Sequence, residues 1–206
     1  MFFAGQAFKL FRDFLQPVKC DEKSLVRENY LLKEELPMAV ALIAAERSKD
    51  PHTQVGACIV DDENRILSYG YNGFPTVTTG GNNDNRFSWN KTGTHPYVCH
   101  AERNAIDYKS SSVRGATLFV TLYPCNECAK TIVMNKIKRV VYLDIKDSKN
   151  IKLAESMHIL ENGLAEKPIQ FREYLKQKVG DEKAKRGFEI PKLKTMFYDL
   201  EKFSLK

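Results

Sequence analysis

Two short clusters of metal-binding residue types constrain this chain more than any other feature. His100-Ala101-Glu102 stands near the start of the helix-like run CHAERNAIDYKS. Cys125-Asn126-Glu127-Cys128, preceded by Pro124, opens a second such run, CNECAKTIVMNK, directly after the strand-like ATLFVTLYP. Side chains at two helix N-termini converge on one point when the helices lie side by side across a sheet. The partial positive charge at each helix start also favours a thiolate there over a thiol.

The rest of the sequence supplies such a framework. PMAVALIAAERSKD reads as a helix from Pro37 to about Ser48, because proline is accommodated in the first helical turn. VGACIVD and RILSYGYN read as strands joined by the turn-rich DDEN, a hairpin. RVVYLD is a further strand, LAESMHILENG a helix stopped by Gly163, and KPIQFREY a last strand. A hairpin followed by strands alternating with helices predicts a mixed sheet flanked by helices, a three-layer α/β/α domain. Between Gly73 and Val98 runs a long irregular stretch with Gly80-Gly81; a loop of that length inside a domain is usually functional or disordered.

With 206 residues, 43% of them hydrophobic, the chain can bury one core plus appendages. We expect an N-terminal extension over 1–33, a catalytic domain over 34–172 and a basic tail over 173–206. Phe3, Ala7, Leu10, Phe11, Phe14 and Leu15 lie at helical spacing up to Pro17, an amphipathic helix that packs on the domain or a partner subunit. Lys9, Arg12 and Lys19 against Asp13 leave a membrane-surface or targeting role open. Of the formal net charge of +6, about +4 lies from Arg172 onward, where ten basic residues face six acidic ones. Such a tail reads as a solvated segment and alone binds nucleic acid only weakly and without specificity. The chain contains no run of about 18 apolar residues and no secretory signal pattern, so a soluble, cytoplasmic protein without membrane partners is expected. Its five cysteines are an odd number, and Cys-x-x-Cys in a reducing compartment points to metal or redox chemistry rather than disulfides. Cys58, inside VGACIV, reads as a small buried hydrophobe.

Imidazole and thiolate together suit zinc, and three protein ligands, His100, Cys125 and Cys128, leave a fourth position for water. Bound zinc lowers the pKa of that water from about 15.7 to about 7. Glu102, two residues beyond His100, can reach the water without ligating the metal and can carry its proton. A structural zinc site would need a fourth protein ligand, and Cys99, the neighbour of His100, should point elsewhere. A redox Cys-x-x-Cys would leave His-Ala-Glu unexplained.

His-x-Glu followed by Pro-Cys-x-x-Cys is the signature of zinc nucleobase deaminases. ERSKDPHTQVGACIVD, ILSYGYNGFP, HPYVCHAERNAI and LYPCNECAKTI, in that order and spacing, closely resemble the deoxycytidylate (dCMP) deaminase family. The resemblance spans about residues 35–150, more weakly to 170, and neither tail. It implies the cytidine-deaminase fold with a five-stranded mixed sheet, Zn2+ as cofactor, and hydrolytic deamination of dCMP to dUMP and ammonia. It further implies a homo-oligomer, generally a hexamer, with dCTP and dTTP as effectors. Asn72 in GYNG matches the family's substrate-contacting asparagine and can bond sugar or base; as a residue before Gly73 it also suits a turn. Tyr97 is either a base or sugar contact or a buried structural tyrosine, and Trp89 resembles a loop tryptophan of relatives.

Arg47, Lys49, His52, Thr53 and Gln54, just before a core strand, and Lys91 are donors that can meet the nucleotide phosphate, with solvated surface charge as the alternative. The sequence departs from the family after RVVYLD, where Asp144-Ile145-Lys146-Asp147-Ser148 replaces a common aromatic. The loop PTVTTGGNNDNRFSWNKTGT departs as well. A dCTP-directed enzyme, a polynucleotide cytidine deaminase and a nucleotide-binding pseudoenzyme are the competing readings.

Overall fold

In the computed structural model, residues 30–75, 97–145 and 151–181 are described. The chain divides into two units, residues 1–32 and 33–206; of the first, only Tyr30, Leu31 and Leu32 are described, without regular secondary structure. The amphipathic helix expected before Pro17, the loop carrying Gly80-Gly81, Trp89 and Lys91, and the chain beyond Asp181 lie outside the described residues.

The second unit contains α1 (Leu36–Ala45), β1 (Gly56–Val60), β2 (Ile66–Tyr71), α2 (Ala101–Asp107), β3 (Thr117–Leu122), α3 (Asn126–Met134), β4 (Arg139–Asp144), α4 (Ile151–Gly163), β5 (Ile169–Gln170) and α5 (Phe171–Val179). The strands form one sheet in the order β2-β1-β3-β4-β5. β1 pairs antiparallel with both β2 and β3, whereas β4 runs parallel to β3 and β5. This is the mixed five-stranded sheet expected. The β1–β2 hairpin closes through Asp61, whose Oδ1 accepts the backbone N–H groups of Glu63 and Arg65, both at 2.9 Å. Asn64 takes the left-handed conformation there, φ 61°, which asparagine tolerates better than most residues.

Alternation along the strands sorts the core into two layers. Ala57, Ile59, Leu118, Val120 and Val140 point to the face covered by α2, α3 and α4, where Ala101, Ala105, Ala129, Ile132 and Leu160 complete the cluster. Cys58, Val60, Phe119 and Val141 point to the opposite face and pack with Met38 and Ala41 of α1 and Phe171, Tyr174 and Leu175 of α5. A three-layer α/β/α sandwich results. Burial pushes the Cys58 thiol up to about 12, so this cysteine is the inert core residue its sequence context suggests.

The C-terminal end differs from the expectation. KPIQFREY is not one strand: β5 contributes only Ile169–Gln170, and α5 follows without a loop. Phe171, Tyr174 and Leu175 stand at i, i+3 and i+4, which brings all three to one helical face. Phe119 meets Phe171 and Tyr174 edge-on, with ring centroids 6.5 and 5.4 Å apart. The division expected at residue 172 therefore falls inside a helix that belongs to the core. Helix α1 stops at Ala45 rather than about Ser48; Arg47 and Ser48 continue it only as turns, donating to the carbonyls of Ala44 and Ala45, and the Ser48 hydroxyl donates to the carbonyl of Asn72 at 2.9 Å. Among the described residues, no helix is long and apolar enough to cross a membrane.

Candidate active site

Helix α2 brings His100 and Glu102 to the site, and β2 fixes α2. A Cβ on Gly70 would fall onto the backbone of Ala101 and Ala105, so glycine here lets helix and strand touch directly. Two side chains lock this contact: Ser68 Oγ donates to the Ala105 carbonyl at 2.7 Å, and Asn104 Nδ2 donates to the Tyr71 carbonyl at 2.7 Å. Upstream, Cys99 and Gly73 exchange backbone hydrogen bonds of 2.8 and 3.0 Å. His100 leaves that bridge extended, φ −77° and ψ 157°, as the N-cap of α2.

Cys125 occupies the equivalent N-cap position of α3, φ −73° and ψ 170°, with Cys128 in the first turn. His100 Nδ1 lies 3.4 Å from Cys125 Sγ and 3.4 Å from Cys128 Sγ. All three ligand atoms fall within 4.8 Å of one another. Tetrahedral zinc with ordinary bonds of about 2.0–2.1 Å to imidazole and about 2.3 Å to thiolate would separate N from S by about 3.6 Å. The spacing thus fits the ion, and the donor set is one that zinc accepts.

The thiols titrate as a pair. Hydrogen bonding from Cys128, helped by His100 and opposed by burial, drives Cys125 far below the usual thiol range. Hydrogen bonding to Cys125 and burial push Cys128 up. His100 is raised, mainly by its hydrogen bond to Cys125. Glu102, 4% exposed, is pushed up by burial, while its own backbone hydrogen bond and the positive field of His100 oppose the shift; its carboxyl lies within hydrogen-bonding reach of Cys128. A carboxyl of raised pKa beside a metal group is suited to moving protons near neutral pH.

The remaining candidates are disposed less uniformly. Asn72 is buried, and its amide is engaged by protein: Oδ1 accepts the Val55 N–H at 2.8 Å, and Nδ2 donates to the Thr53 carbonyl at 2.9 Å and to Asp50 Oδ2 at 3.3 Å. It ties the segment before β1 to the end of β2. His52 is exposed and stands 3.5 Å from Asp50 through Nδ1. The Arg47 guanidinium covers the Tyr71 ring at 5.8 Å. Tyr97 is 54% exposed, not a core tyrosine. Gln54 donates to the Asp50 carbonyl. Asp50 itself escaped the sequence reading: its Oδ1 accepts the N–H groups of His52 and Thr53 at 2.8 and 3.2 Å. The Asp-Pro pair was the available signal, since aspartate so placed commonly folds a turn onto its own side chain.

A His-Cys-Cys group at two helix starts, with a buried carboxyl against it and no fourth protein ligand among the described residues, defines an open-site zinc hydrolase rather than a structural zinc module. Residues 32–144 match the cytidine and deoxycytidylate deaminase zinc-binding region. The chain belongs to that family. It is 48% identical over 127 residues to the deoxycytidylate deaminase of Homo sapiens, covering 58% of this chain and 69% of that protein. Identity is 43% over 147 residues to the probable deoxycytidylate deaminase of Drosophila melanogaster, covering 66% and 70%. Among solved structures, that of dCMP deaminase from the cyanophage S-TIM5 in complex with dCMP and dUMP is 26% identical, covers 66% of this chain and 95% of that one, and superposes with a TM-score of 0.52. The chain's cofactor is zinc.

Proposed function

We propose that this chain hydrolyses dCMP to dUMP and ammonia, with His100, Cys125 and Cys128 as zinc ligands and Glu102 as the proton carrier. One observation carries the reading: a buried carboxyl, raised in pKa, interacts with the members of a His-Cys-Cys group inside a region matching the deaminase family. Zinc held there supplies Lewis-acid activation of water. Glu102 accepts a proton from the water that attacks C4 of the cytosine and passes it to the ring nitrogen N3. The carboxylate then takes the proton of the new C4 hydroxyl and delivers it to the exocyclic nitrogen, so that the C4–N bond breaks, ammonia leaves and the C4 carbonyl forms. Burial of Glu102 among Cys128, His100 and the α2 backbone keeps bulk water from competing for that proton.

Recognition of the base and sugar falls to the end of β2 around Asn72 and to Tyr97, and recognition of the phosphate to Arg47 and His52. By family resemblance the enzyme is a homo-oligomer, a hexamer responsive to dCTP and dTTP, with residues 1–33 and the chain beyond α5 as appendages. The reading includes a cytoplasmic location, a reducing compartment in which the thiolate ligands stay free of disulfides. The test is ammonia release by zinc-loaded protein from dCMP, dCTP, CMP, deoxycytidine and single-stranded DNA, each with and without dCTP and dTTP. Preference for dCMP supports the reading; dominant turnover of DNA or dCTP, or none of any substrate, contradicts it.

A further inference from the structure

One helix holds Cys125 from both sides. Ser156 of α4 donates its hydroxyl to the Pro124 carbonyl at 2.6 Å, and the adjacent Glu155 accepts a hydrogen bond from Asn126 Nδ2 at 2.9 Å. Pro124 and Asn126 are the two chain neighbours of Cys125. Ser156 is fully buried, 0% exposed, and Pro124 is buried as well. A buried hydroxyl without a partner is costly, and serine inside a helix commonly satisfies itself on its own helix four residues back. Here the hydroxyl goes instead to a loop carbonyl 32 residues away in sequence. α4 is a firm anchor for this purpose. Leu153 and Leu160 are set in the core, and Gly163 lies so close to α3 that a Cβ would meet Val133 at 2.6 Å.

We propose that Glu155 and Ser156 are positioning residues that bracket Cys125, fixing the carbonyl before it and the side chain after it so that its Sγ stands ready to ligate zinc. The inference rests on Cys125 being a ligand. A ligand held in place loses less conformational freedom when the metal binds, and partners that orient a ligand are typically worth about 10–100-fold in metal affinity. Ser156 acts on the carbonyl immediately before the cysteine from a dry site, and Glu155 acts from the exposed rim, so Ser156 carries the larger share.

The test measures the zinc dissociation constant of the full-length chain by competition with a chromophoric chelator, and the melting temperature of the metal-free form. Wild type, Ser156→Ala, Glu155→Ala and the double variant are compared. Ser156→Ala weakens zinc binding by about 10–100-fold. Glu155→Ala weakens it by a smaller factor while leaving the metal-free melting temperature unchanged, and the two losses are not additive because both act on one cysteine. Lowered melting with unchanged zinc affinity overturns the inference, since a merely structural contact would give that result. Should Ser156→Ala fail to fold, Glu155→Ala decides alone, and an unchanged dissociation constant refutes the bracket. Wild-type chain that takes up no zinc overturns the ligand assignment itself; zinc-binding wild type beside unaffected variants overturns only the bracket.

Discussion

Gly70→Ala tests whether the close contact between β2 and α2 sets the catalytic geometry. The added methyl carbon would stand 3.0 Å from Ala105 Cα, with the Ala101 carbonyl oxygen and the Ala105 nitrogen closer still. All three are backbone atoms, so no side chain can swing aside. Restoring an ordinary contact of about 3.5 Å pushes α2 outward by roughly 1 Å. That motion strains the Ser68–Ala105 and Asn104–Tyr71 hydrogen bonds, each now 2.7 Å, and carries His100 and Glu102 away from Cys125 and Cys128. Overpacking of this kind costs about 1–3 kcal/mol, which for a chain of this size lowers the melting temperature by about 2–4 °C per kcal/mol. A misplacement of about 1 Å at reacting groups costs about 10² in rate. Turnover of dCMP by zinc-loaded protein, followed by the loss of cytosine absorbance, should fall by about that factor, and circular dichroism should show the earlier melt. Gly73→Ala is the control for stability, because its methyl would meet nothing nearer than the Tyr71 ring at 3.9 Å. Wild-type turnover and melting in Gly70→Ala would refute the reasoning.

Cys125→Ala and Cys128→Ala each leave two protein ligands, a poor zinc site, so metal content and turnover should disappear together; stoichiometric zinc at wild-type rate in either would contradict the ligand set. Arg47→Ala, His52→Ala and Lys91→Ala should raise KM for dCMP while barely changing the weak reaction with deoxycytidine, which lacks the phosphate. Equal losses on both substrates would assign these side chains to the fold instead. Burial holds the Glu102 carboxyl above the ordinary glutamate value of 4.5, so its stabilising contribution is present below that value and is lost as pH rises through the folded one. Metal-free Glu102→Gln should therefore gain stability relative to metal-free wild type as pH rises from 4 toward neutrality, read from urea melts at a series of pH values; a gap independent of pH would count against the burial argument.

The metal group was legible in the sequence because both clusters are local: one residue separates His100 from Glu102 and two separate Cys125 from Cys128, and each cluster sits where an apolar run marks a helix start. The strands of the hairpin and the two central strands were legible for the same reason, since their alternation or continuous apolarity needs no partner to be seen. The β5–α5 junction was not. IQFREYL contains a β-branched residue and two aromatics, which look strand-like one by one, and only the 3–4 spacing of Phe171, Tyr174 and Leu175 against the sheet reveals the helix. Ser68, Gly70, Asn104 and Ser156 were hidden altogether. Their partners lie 32–37 residues away for the three hydrogen bonds, and a serine or glycine in a strand or helix pattern carries no sign of which backbone it will touch. Asn72 was found for its place in GYNG, and its bonds to Val55, Thr53 and Asp50 appear only once the chain is folded.

The central claim is that Glu102 moves the protons at a zinc centre it does not help to hold. Glu102→Gln, purified with its metal, tests it most directly when zinc content and single-turnover conversion of dCMP are measured on the same sample. Glutamine keeps the shape and cannot accept the proton, and general acid-base catalysis is worth about 10²–10⁴ in rate. The account predicts one zinc per chain with conversion slowed by at least 10². Full zinc with wild-type conversion would contradict it, as would loss of the zinc, which would make Glu102 part of the metal site.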